Sequence, residues 1–269
     1  MTLFSEEELV NKFNNEIADR WHPEGRQGND GSAGNTLEDL LGVEENNLRL
    51  PDWGDIELKT KRIESQSLIT LLHREPQPNA SVPKLLSSLG WKHQKAGTDY
   101  PADEMSFRST TRANDYSDRG FAILFKDNEI HFEFQPDEVN CEAADRTKIY
   151  PTYGDWLADV KKRKSPNYAE IFPIYWTKNY VQAEIRNKLD NTLFCLVKSK
   201  VIGGVKHFNY VSATLFKGFK ESKIDTLFSN KSLYVDFDAR THHNHGTKFR
   251  VDISAIHELF DKVKVIKSR

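Results

Sequence analysis

The sequence predicts a mixed fold, α/β (α+β) in class, in which helices flank a mixed β-sheet. Helical and strand-like patterns alternate irregularly along the 269 residues, 38% of the residues are hydrophobic, and no repeat or low-complexity tract is present. Irregular alternation favours a mixed sheet over a regular series of βαβ units. A chain of this length forms one large domain or two lobes with a substantial core.

Two helices are predicted near the N-terminus. The first covers Ser5–Trp21, because Ser5 and Glu8 form a capping box and three apolar residues recur at helical spacing. These are Leu9, Phe13 and Ile17. After a polar, glycine-rich loop, a second, short helix begins at Thr36 and ends at Gly42, a typical helix stop.

The segment LRLPDWGDIELKTKR, Leu48–Arg62, predicts a turn at Pro51–Gly54 followed by a strand at Asp55–Lys61. Side chains alternate between the two faces of a strand. One face of this strand is therefore apolar, and the other is charged. Alternation alone predicts a half-buried strand with a solvated polar face, and it does not explain Asp52 in the turn.

Further elements are predicted along the rest of the chain. The clearest is a hairpin over Gly120–Phe134, with turn residues between two alternating strands. A helix is expected at Ser254–Val263, followed by a last short strand. The other strand candidates are Thr192–Lys198, Phe208–Phe219 and Leu233–Phe237.

Composition and charge limit the class of protein. The chain has 38 Lys and Arg against 40 Asp and Glu, but from Val197 onward there are 14 against 7. This asymmetry has two interpretations. Either an acidic part could hold metal ions and a basic part could hold phosphates, or the protein has an uneven solvated surface. Two distant cysteines and the absence of a membrane-spanning apolar run or a signal sequence favour a cytoplasmic protein.

The residues Asp52, Glu57 and Lys59 suit metal-dependent cleavage of phosphodiesters. Two carboxylates can hold a hard divalent cation, usually Mg²⁺, through oxygen ligands. A lysine two residues after the second acid lies on the same strand face, where it can orient an attacking water or stabilise developing charge. Glu38, on the short helix upstream, can present a third carboxylate, although a solvated helix face is the alternative.

The segment TLEDLLGVEENNLRLPDWGDIELKTKR resembles the MvaI/BcnI family of restriction endonucleases in the PD-(D/E)xK superfamily, and more distantly MutH. The family pattern, T-x-E-D-L-L followed by P-D-x4-E-x-K-T, falls here on Glu38, Pro51, Asp52, Glu57, Lys59 and Thr60. Trp21-His22 and Ser67–Leu71 match two further family segments. The resemblance implies a PD-(D/E)xK core with two lobes that form a DNA cleft.

The resemblance also implies roles for these residues. Asp52 and Glu57 bind Mg²⁺ together with the Leu58 carbonyl, Lys59 positions the water, and Glu38 assists. Mn²⁺ is expected to substitute for Mg²⁺, and Ca²⁺ to bind without supporting cleavage.

A second cluster is RTHHNHGTKFRVD, Arg240–Asp252. Its histidines are open to three interpretations: a transition-metal site, a solvated loop, or readout of base edges. H-x-H-G-T-x-F-R is similar to the recognition segment of MvaI-like enzymes, which favours readout. The residues expected to contact DNA are Trp21, His73, Arg240, His243, Asn244, His245 and Arg250, with Arg74 beside His73.

The resemblance implies a monomeric type II restriction endonuclease that cuts double-stranded DNA at a short pseudosymmetric CC/GG site by sequential nicking. Residues 1–150 are expected to form the catalytic lobe and 151–269 the recognition lobe. A DNA methyltransferase in the host is the implied functional partner, and no membrane is involved. The alternatives are a MutH-like methyl-directed nickase and an inactive DNA-binding protein on a nuclease scaffold.

Overall fold

The computed structural model describes residues 5–26, 31–43, 51–163 and 167–268. The α-helices are α1 (Glu6–Lys12), α2 (Ser32–Leu41), α3 (Ser81–Leu89), α4 (Tyr153–Lys162), α5 (Lys178–Leu189) and α6 (Lys223–Ser229). The strands are β1 (His22–Pro23), β2 (Ile56–Arg62), β3 (Ile69–His73), β4 (Trp91–Lys92), β5 (Met105–Arg112), β6 (Arg119–Lys126), β7 (Glu129–Val139), β8 (Ile174–Thr177), β9 (Asn191–Ile202), β10 (Val205–Phe219), β11 (Leu233–Arg240), β12 (His243–Asn244), β13 (Lys248–Val251) and β14 (Phe260–Lys267). No helix within these ranges is long and apolar enough to cross a membrane.

The chain forms two compact units, and each is discontinuous in sequence. Unit 1 comprises Met1–Ile69, Glu184–Lys223 and Ser254–Arg269, and unit 2 comprises Thr70–Ala183 and Ile224–Ile253. The expected division into 1–150 and 151–269 coincides with neither unit. The physical reason is strand pairing, because β9 and β10 return to the sheet that contains β1 and β2. The roles expected of two lobes stay predictions.

Unit 1 is built on a mixed sheet. Its strand order is β1-β10-β9-β2, and β14 also pairs with β10. The β2–β9 pair is parallel, with Glu57 opposite Thr192, whereas β10 pairs with β1, β9 and β14 in antiparallel fashion. The predicted mixed sheet is confirmed.

The N-terminal helix is shorter than predicted. The Ser5–Glu8 capping box is present, but α1 ends at Lys12 and continues as a π-helical turn, Phe13–Ile17. Ala18 is extended and forms a bridge with Tyr210 of β10. The helix does not reach Trp21 because pairing with the sheet replaces helical hydrogen bonds after Ile17.

The second helix begins earlier than predicted. It starts at Ser32, because the Thr36 hydroxyl donates to the Ser32 carbonyl inside the helix at 2.8 Å instead of capping it. Gly42 ends this helix in the left-handed conformation, φ 80°, as predicted. The two N-terminal helices and the sheet share one apolar core: Leu9, Phe13, Ile17, Leu37, Leu41, Ile56, Leu58, Leu193, Val197, Phe208, Tyr210 and Leu215.

One C-terminal prediction in unit 1 is wrong, and two strand predictions are confirmed with longer bounds. Ser254–Val263 is not an α-helix: a 3-10 helix at Ile253–Leu259 is followed at once by β14, whose Phe260 pairs with Phe219. The strands predicted at Thr192–Lys198 and Phe208–Phe219 extend toward each other as β9 and β10. They meet in a tight two-residue turn at Gly203 and Gly204, both at positive φ.

Unit 2 contains two sheets. The larger has the order β3-β13-β11-β5-β4, with β12 on β11, and the smaller is β6-β7-β8. The predicted hairpin is confirmed as β6 and β7, with Asp127 and Asn128 at positive φ in its turn. Arg119 is buried there, with its guanidinium 2.6 Å from Asp145 and 4.0 Å from the centre of the Trp91 ring.

Candidate active site

Strand β2 carries the predicted catalytic residues, and its charged face is not solvated. Ile56, Glu57 and Leu58 are buried in succession, with Glu57 only 2% exposed, and Lys61 is also buried. A purely structural amphipathic strand would expose the alternate residues. The alternative of a solvated polar face therefore does not hold at Glu57. Burying a carboxylate is costly unless other groups compensate for its charge.

The turn before β2 brings Asp52 back toward the strand. Trp53 and Ile56 exchange two backbone hydrogen bonds of 2.8 Å each. Asp52 Oδ2 then accepts a hydrogen bond of 2.9 Å from the backbone N–H of Leu58. This bond fixes the Asp52 carboxylate beside the residue that follows Glu57.

Asp55 has a different environment, although it is closer to Glu57 in sequence. It is exposed, and its Oδ2 accepts a 2.7 Å hydrogen bond from the Asn191 side chain. Asp55 therefore ties the start of β2 to β9.

The Glu57 carboxyl lies in a strongly perturbing environment. Burial raises its pKa above the ordinary value, and this is the largest effect. The charge of Lys59 lowers the pKa, the charge of Asp52 raises it further, and the charge of Lys188 lowers it. The Lys59 ammonium donates to Glu57 Oε1, and Lys188 Nζ lies 3.4 Å from the same oxygen. Sequence reasoning missed Lys188, which lies on α5, because no local pattern links it to β2.

The other oxygen of Glu57 indicates that a metal ion fits here. Glu57 Oε2 is buried and has no hydrogen-bond partner among the residues that the structure describes. A divalent cation would satisfy this oxygen and the Asp52 charge together. No group of three or more His, Cys, Asp or Glu in the described ranges is arranged to hold a metal. Mg²⁺ suits a two-carboxylate site, because it retains waters and takes further ligands from substrate phosphates.

Glu38 is held by a residue from the preceding loop. Its Oε2 lies 2.7 Å from Arg26 Nη2, and Arg26 Nε lies 3.1 Å from Asp39. The Glu38 side chain is 23% exposed. The structure thus shows Glu38 in an ion pair with Arg26 and does not bring it into a three-carboxylate group with Asp52 and Glu57.

The histidine cluster of unit 2 is a hairpin. Arg240 at the end of β11 pairs with His243 of β12, and His242 in the turn has φ 62°. His243 Nε2 lies 3.2 Å from His245 Nδ1, and both side chains are exposed. The hairpin therefore presents two exposed imidazoles next to each other.

A glutamate that the sequence analysis did not identify shapes this hairpin. Glu75 Oε1 accepts a 2.7 Å hydrogen bond from the backbone N–H of Thr247, and Glu75 Oε2 accepts one of 3.1 Å from the Asn244 amide. The Asn244 oxygen accepts in turn from Gly246 N at 2.9 Å. An amide has capacity for one more bond at each end, so Asn244 can shape the hairpin and still contact a base.

The two arginines of this region are engaged by acids. Arg240 donates to Glu104 at 2.9 Å and lies 4.6 Å from the centre of the Tyr100 ring. Arg250 is ion-paired with Asp236. Arg240 and His245 line a pocket of ≈ 420 Å³ together with Lys95 and Arg108, and these last two are also ion-paired, with Asp99 and Asp238 respectively.

The remaining predicted DNA contacts lie at two places. Trp21, in unit 1, has Lys200 Nζ 3.9 Å from the centre of its ring. His73, in unit 2, is exposed at the end of β3. It lies next to the histidine hairpin: its Nδ1 is 3.7 Å from the position that a Cβ on Gly246 would occupy.

The family model of the MvaI/BcnI restriction endonuclease family matches residues 10–260. A solved structure described as a restriction endonuclease MvaI–cognate DNA substrate complex has a TM-score of 0.74 and 24% identity, covering 97% of this chain and 99% of that one. A structure of restriction endonuclease MvaI in the absence of DNA has a TM-score of 0.49 and 21% identity, covering 99% and 100%. No curated protein sequence matches. The first likeness confirms the predicted fold.

Proposed function

Because this chain belongs to the MvaI/BcnI restriction endonuclease family and is therefore a site-specific DNA endonuclease, we propose that it cuts both DNA strands in a Mg²⁺-dependent reaction at a short pseudosymmetric CC/GG site. The observation that carries this proposal is the buried Glu57 carboxylate. It has lysines at one oxygen, no described hydrogen-bond partner at the other, and Asp52 close enough to perturb it.

In the proposed mechanism, Asp52, Glu57 and the Leu58 carbonyl hold the metal ion. When bound, Mg²⁺ neutralises the scissile phosphate and stabilises the leaving oxygen. The Leu58 N–H orients Asp52 through the hydrogen bond already described. Mn²⁺ is proposed to substitute, and Ca²⁺ to bind without supporting cleavage.

Lys59 and Glu38 assist the reaction in this proposal. The Lys59 ammonium, held beside Glu57, positions the attacking water and stabilises charge that develops on the phosphate. Glu38 acts at the metal or the water, and this role requires it to exchange its ion pair with Arg26 for the reacting groups.

Unit 2 is proposed to read the bases. His243, Asn244 and His245 face base edges in the major groove, and the two arginines of this region, Arg240 and Arg250, support them or contact guanine. The described complex of MvaI contains its cognate DNA, and double-stranded DNA is the partner proposed for this chain. His73 and Trp21 add contacts. The enzyme is proposed to act as a cytoplasmic monomer beside a protective host methyltransferase.

The substitution Glu57→Ala tests the proposal on supercoiled plasmid in Mg²⁺. Cleavage should be abolished, because the carboxylate that binds the metal is lost, while specific binding in Ca²⁺ should remain in a gel-shift assay. Glu64→Ala, at an exposed glutamate just after β2, is the matched control and should cut normally. Normal cutting by Glu57→Ala would exclude this site, and binding without cutting by the wild type would favour the inactive DNA-binding alternative.

A further inference from the structure

The segment 191–220 contains five lysines and no acidic residue. Its central part projects as a two-stranded ribbon. β2 pairs with β9 only as far as Val197, and β1 pairs with β10 only at His207 and Phe208. The Lys206 carbonyl accepts a hydrogen bond of 2.7 Å from Glu24 N. Residues 198–205, here called the basic arm, therefore extend beyond the neighbouring strands and close at the Gly203–Gly204 turn.

The two faces of the basic arm differ in chemistry. Directly opposed residues of an antiparallel pair share a face, and Ile202 is opposite Val205 while Lys200 is opposite His207. One face therefore has an apolar tip, formed by Ile202 and Val205, and a basic shaft that contains Lys200. Lys198 belongs to the same shaft, because it lies two residues before Lys200 on the strand. At the base of the arm, Phe208 and Tyr210 of the opposite face are fully buried in the core of unit 1.

The tip exposes three large aliphatic side chains. Val201 is 69%, Ile202 44% and Val205 40% exposed. Three large aliphatic residues on a solvated turn are unfavourable unless a partner covers them. The lysines on the shaft favour an anionic partner over a second copy of this chain, because two acid-free arms would repel each other.

We propose that the basic arm is a DNA-binding element separate from the catalytic carboxylates and the histidine hairpin. Lys198 and Lys200 contact backbone phosphates, and Ile202 and Val205 insert into a groove against sugars and base edges. β-Ribbons enter DNA grooves, and apolar side chains at their ends wedge against base steps. This inference rests on the proposed function, because it takes the DNA substrate as given.

The arm reaches DNA away from the cleaved bond. Ile202 lies ten residues along β9 from Thr192, the partner of Glu57, so the tip stands at most about 33 Å from the catalytic carboxylate along the strand. This distance is about one helical turn of B-DNA. Binding should therefore be measured on duplexes of about 40 bp with the recognition site at the centre.

The double variant Lys198→Gln, Lys200→Gln tests the phosphate contacts. Each lost contact should make the plot of log K against log[salt] shallower by about 0.9, hence about 1.8 for both, on cognate and non-cognate duplexes alike. The matched control is Lys262→Gln, Lys264→Gln, at two exposed lysines of β14 in the same unit, and it should keep the wild-type slope. An unchanged slope in the arm variant would overturn the proposal.

The double variant Ile202→Thr, Val205→Thr tests the tip. Threonine keeps the β-branched shape and removes apolar surface, so affinity for the long duplex should fall roughly tenfold with no change in salt slope. Val263→Thr, Val265→Thr, at valines of β14 that are 53% and 61% exposed, is the control and should bind as the wild type does.

The outcomes separate the two levels of inference. If the wild type neither binds nor cuts the long duplex, the proposed function fails. If the wild type binds and cuts but the arm variants match their β14 controls, only the arm proposal fails. If sedimentation shows a dimer that the tip variant converts to a monomer, the tip covers a second copy of the chain and the proposal is overturned.

Discussion

Asp52 and Asp55 show, at the scale of single residues, that the folded position of a carboxylate and not its distance along the chain decides whether it lies near Glu57. Asp55 is nearer to Glu57 along the chain, yet its carboxylate bonds Asn191 at the start of β9. Asp52 is five residues away, but the turn returns its carboxylate to Leu58 N, and its charge perturbs Glu57. We therefore propose Asp52 as the carboxylate that shares the site with Glu57.

Asp52→Asn should reduce cleavage in Mg²⁺ more than ~100-fold, beyond the usual effect of losing an outer-shell partner of a metal ligand. Asparagine retains an acceptor for Leu58 N, so the fold should be kept. Asp55→Ala should cut at a near wild-type rate and lose about 1 kcal/mol of stability with its hydrogen bond to Asn191. Single-turnover cleavage and urea unfolding measure these effects. The reverse ranking of the two variants would show that Asp55 is the ligand.

The histidine hairpin shows at the scale of elements how a short segment is held in shape. β12 has only two residues and needs support beyond its pairing with β11. That support comes from Glu75, which follows β3 and bonds both Thr247 N and the Asn244 amide. The orientation of the side chains proposed to read bases therefore depends on a residue more than 160 positions away.

Glu75→Gln should relax sequence discrimination while leaving cleavage chemistry intact. A glutamine keeps one acceptor oxygen, but its NH₂ group then faces the NH₂ group of Asn244 and cannot accept from it. The hairpin therefore loses one of its two hydrogen bonds to residue 75. The preference in kcat/KM for the cognate site over single-base variants should fall roughly tenfold, within the range of one base contact. Glu142→Gln, at an exposed glutamate of the same unit, is the control. An equal loss of rate on all sites would instead indicate a general folding defect.

Among the residues that the structure describes, the proposed monomer carries one proposed catalytic set, Asp52, Glu57 and Lys59. A single set can cut only one strand at a time, because each strand presents its own scissile phosphate. The second cut requires the enzyme to turn over or rebind in the opposite orientation. The order in which nicked and linear DNA appear therefore distinguishes cleavage by a monomer from cleavage by a larger assembly.

Supercoiled plasmid should pass through a nicked circle before it becomes linear in Mg²⁺. At saturating enzyme, the rate of nicking should not depend on further enzyme concentration. Time-resolved gels with quenched samples measure both stages. Linear product without a nicked stage, together with a rate that rises with the square of concentration, would contradict a monomer. Nicking that never proceeds to linear product would favour the MutH-like alternative.

The sequence by itself determined the local features, because each depends on residues close together in the chain. The Ser5–Glu8 cap, the Gly42 stop, the turn that carries Asp52, strand β2 and the β6–β7 hairpin were all predictable from spacing and turn chemistry. The family motif also lies within one segment, from Glu38 to Thr60. The end of the first helix and the 3-10 helix before β14 were not predictable, because pairing with β10 overrides local propensity at both places.

Only the tertiary structure decided the electrostatics of the site. Alternation predicted Glu57 on a solvated face, whereas packing buries it and brings Lys188 to its carboxylate from another segment. The same holds for Glu75 beneath the histidine hairpin and Arg26 beside Glu38. Contacts between residues distant in sequence leave no periodic pattern, so burial, charge pairing and the perturbed pKa of Glu57 arise only when the chain is folded.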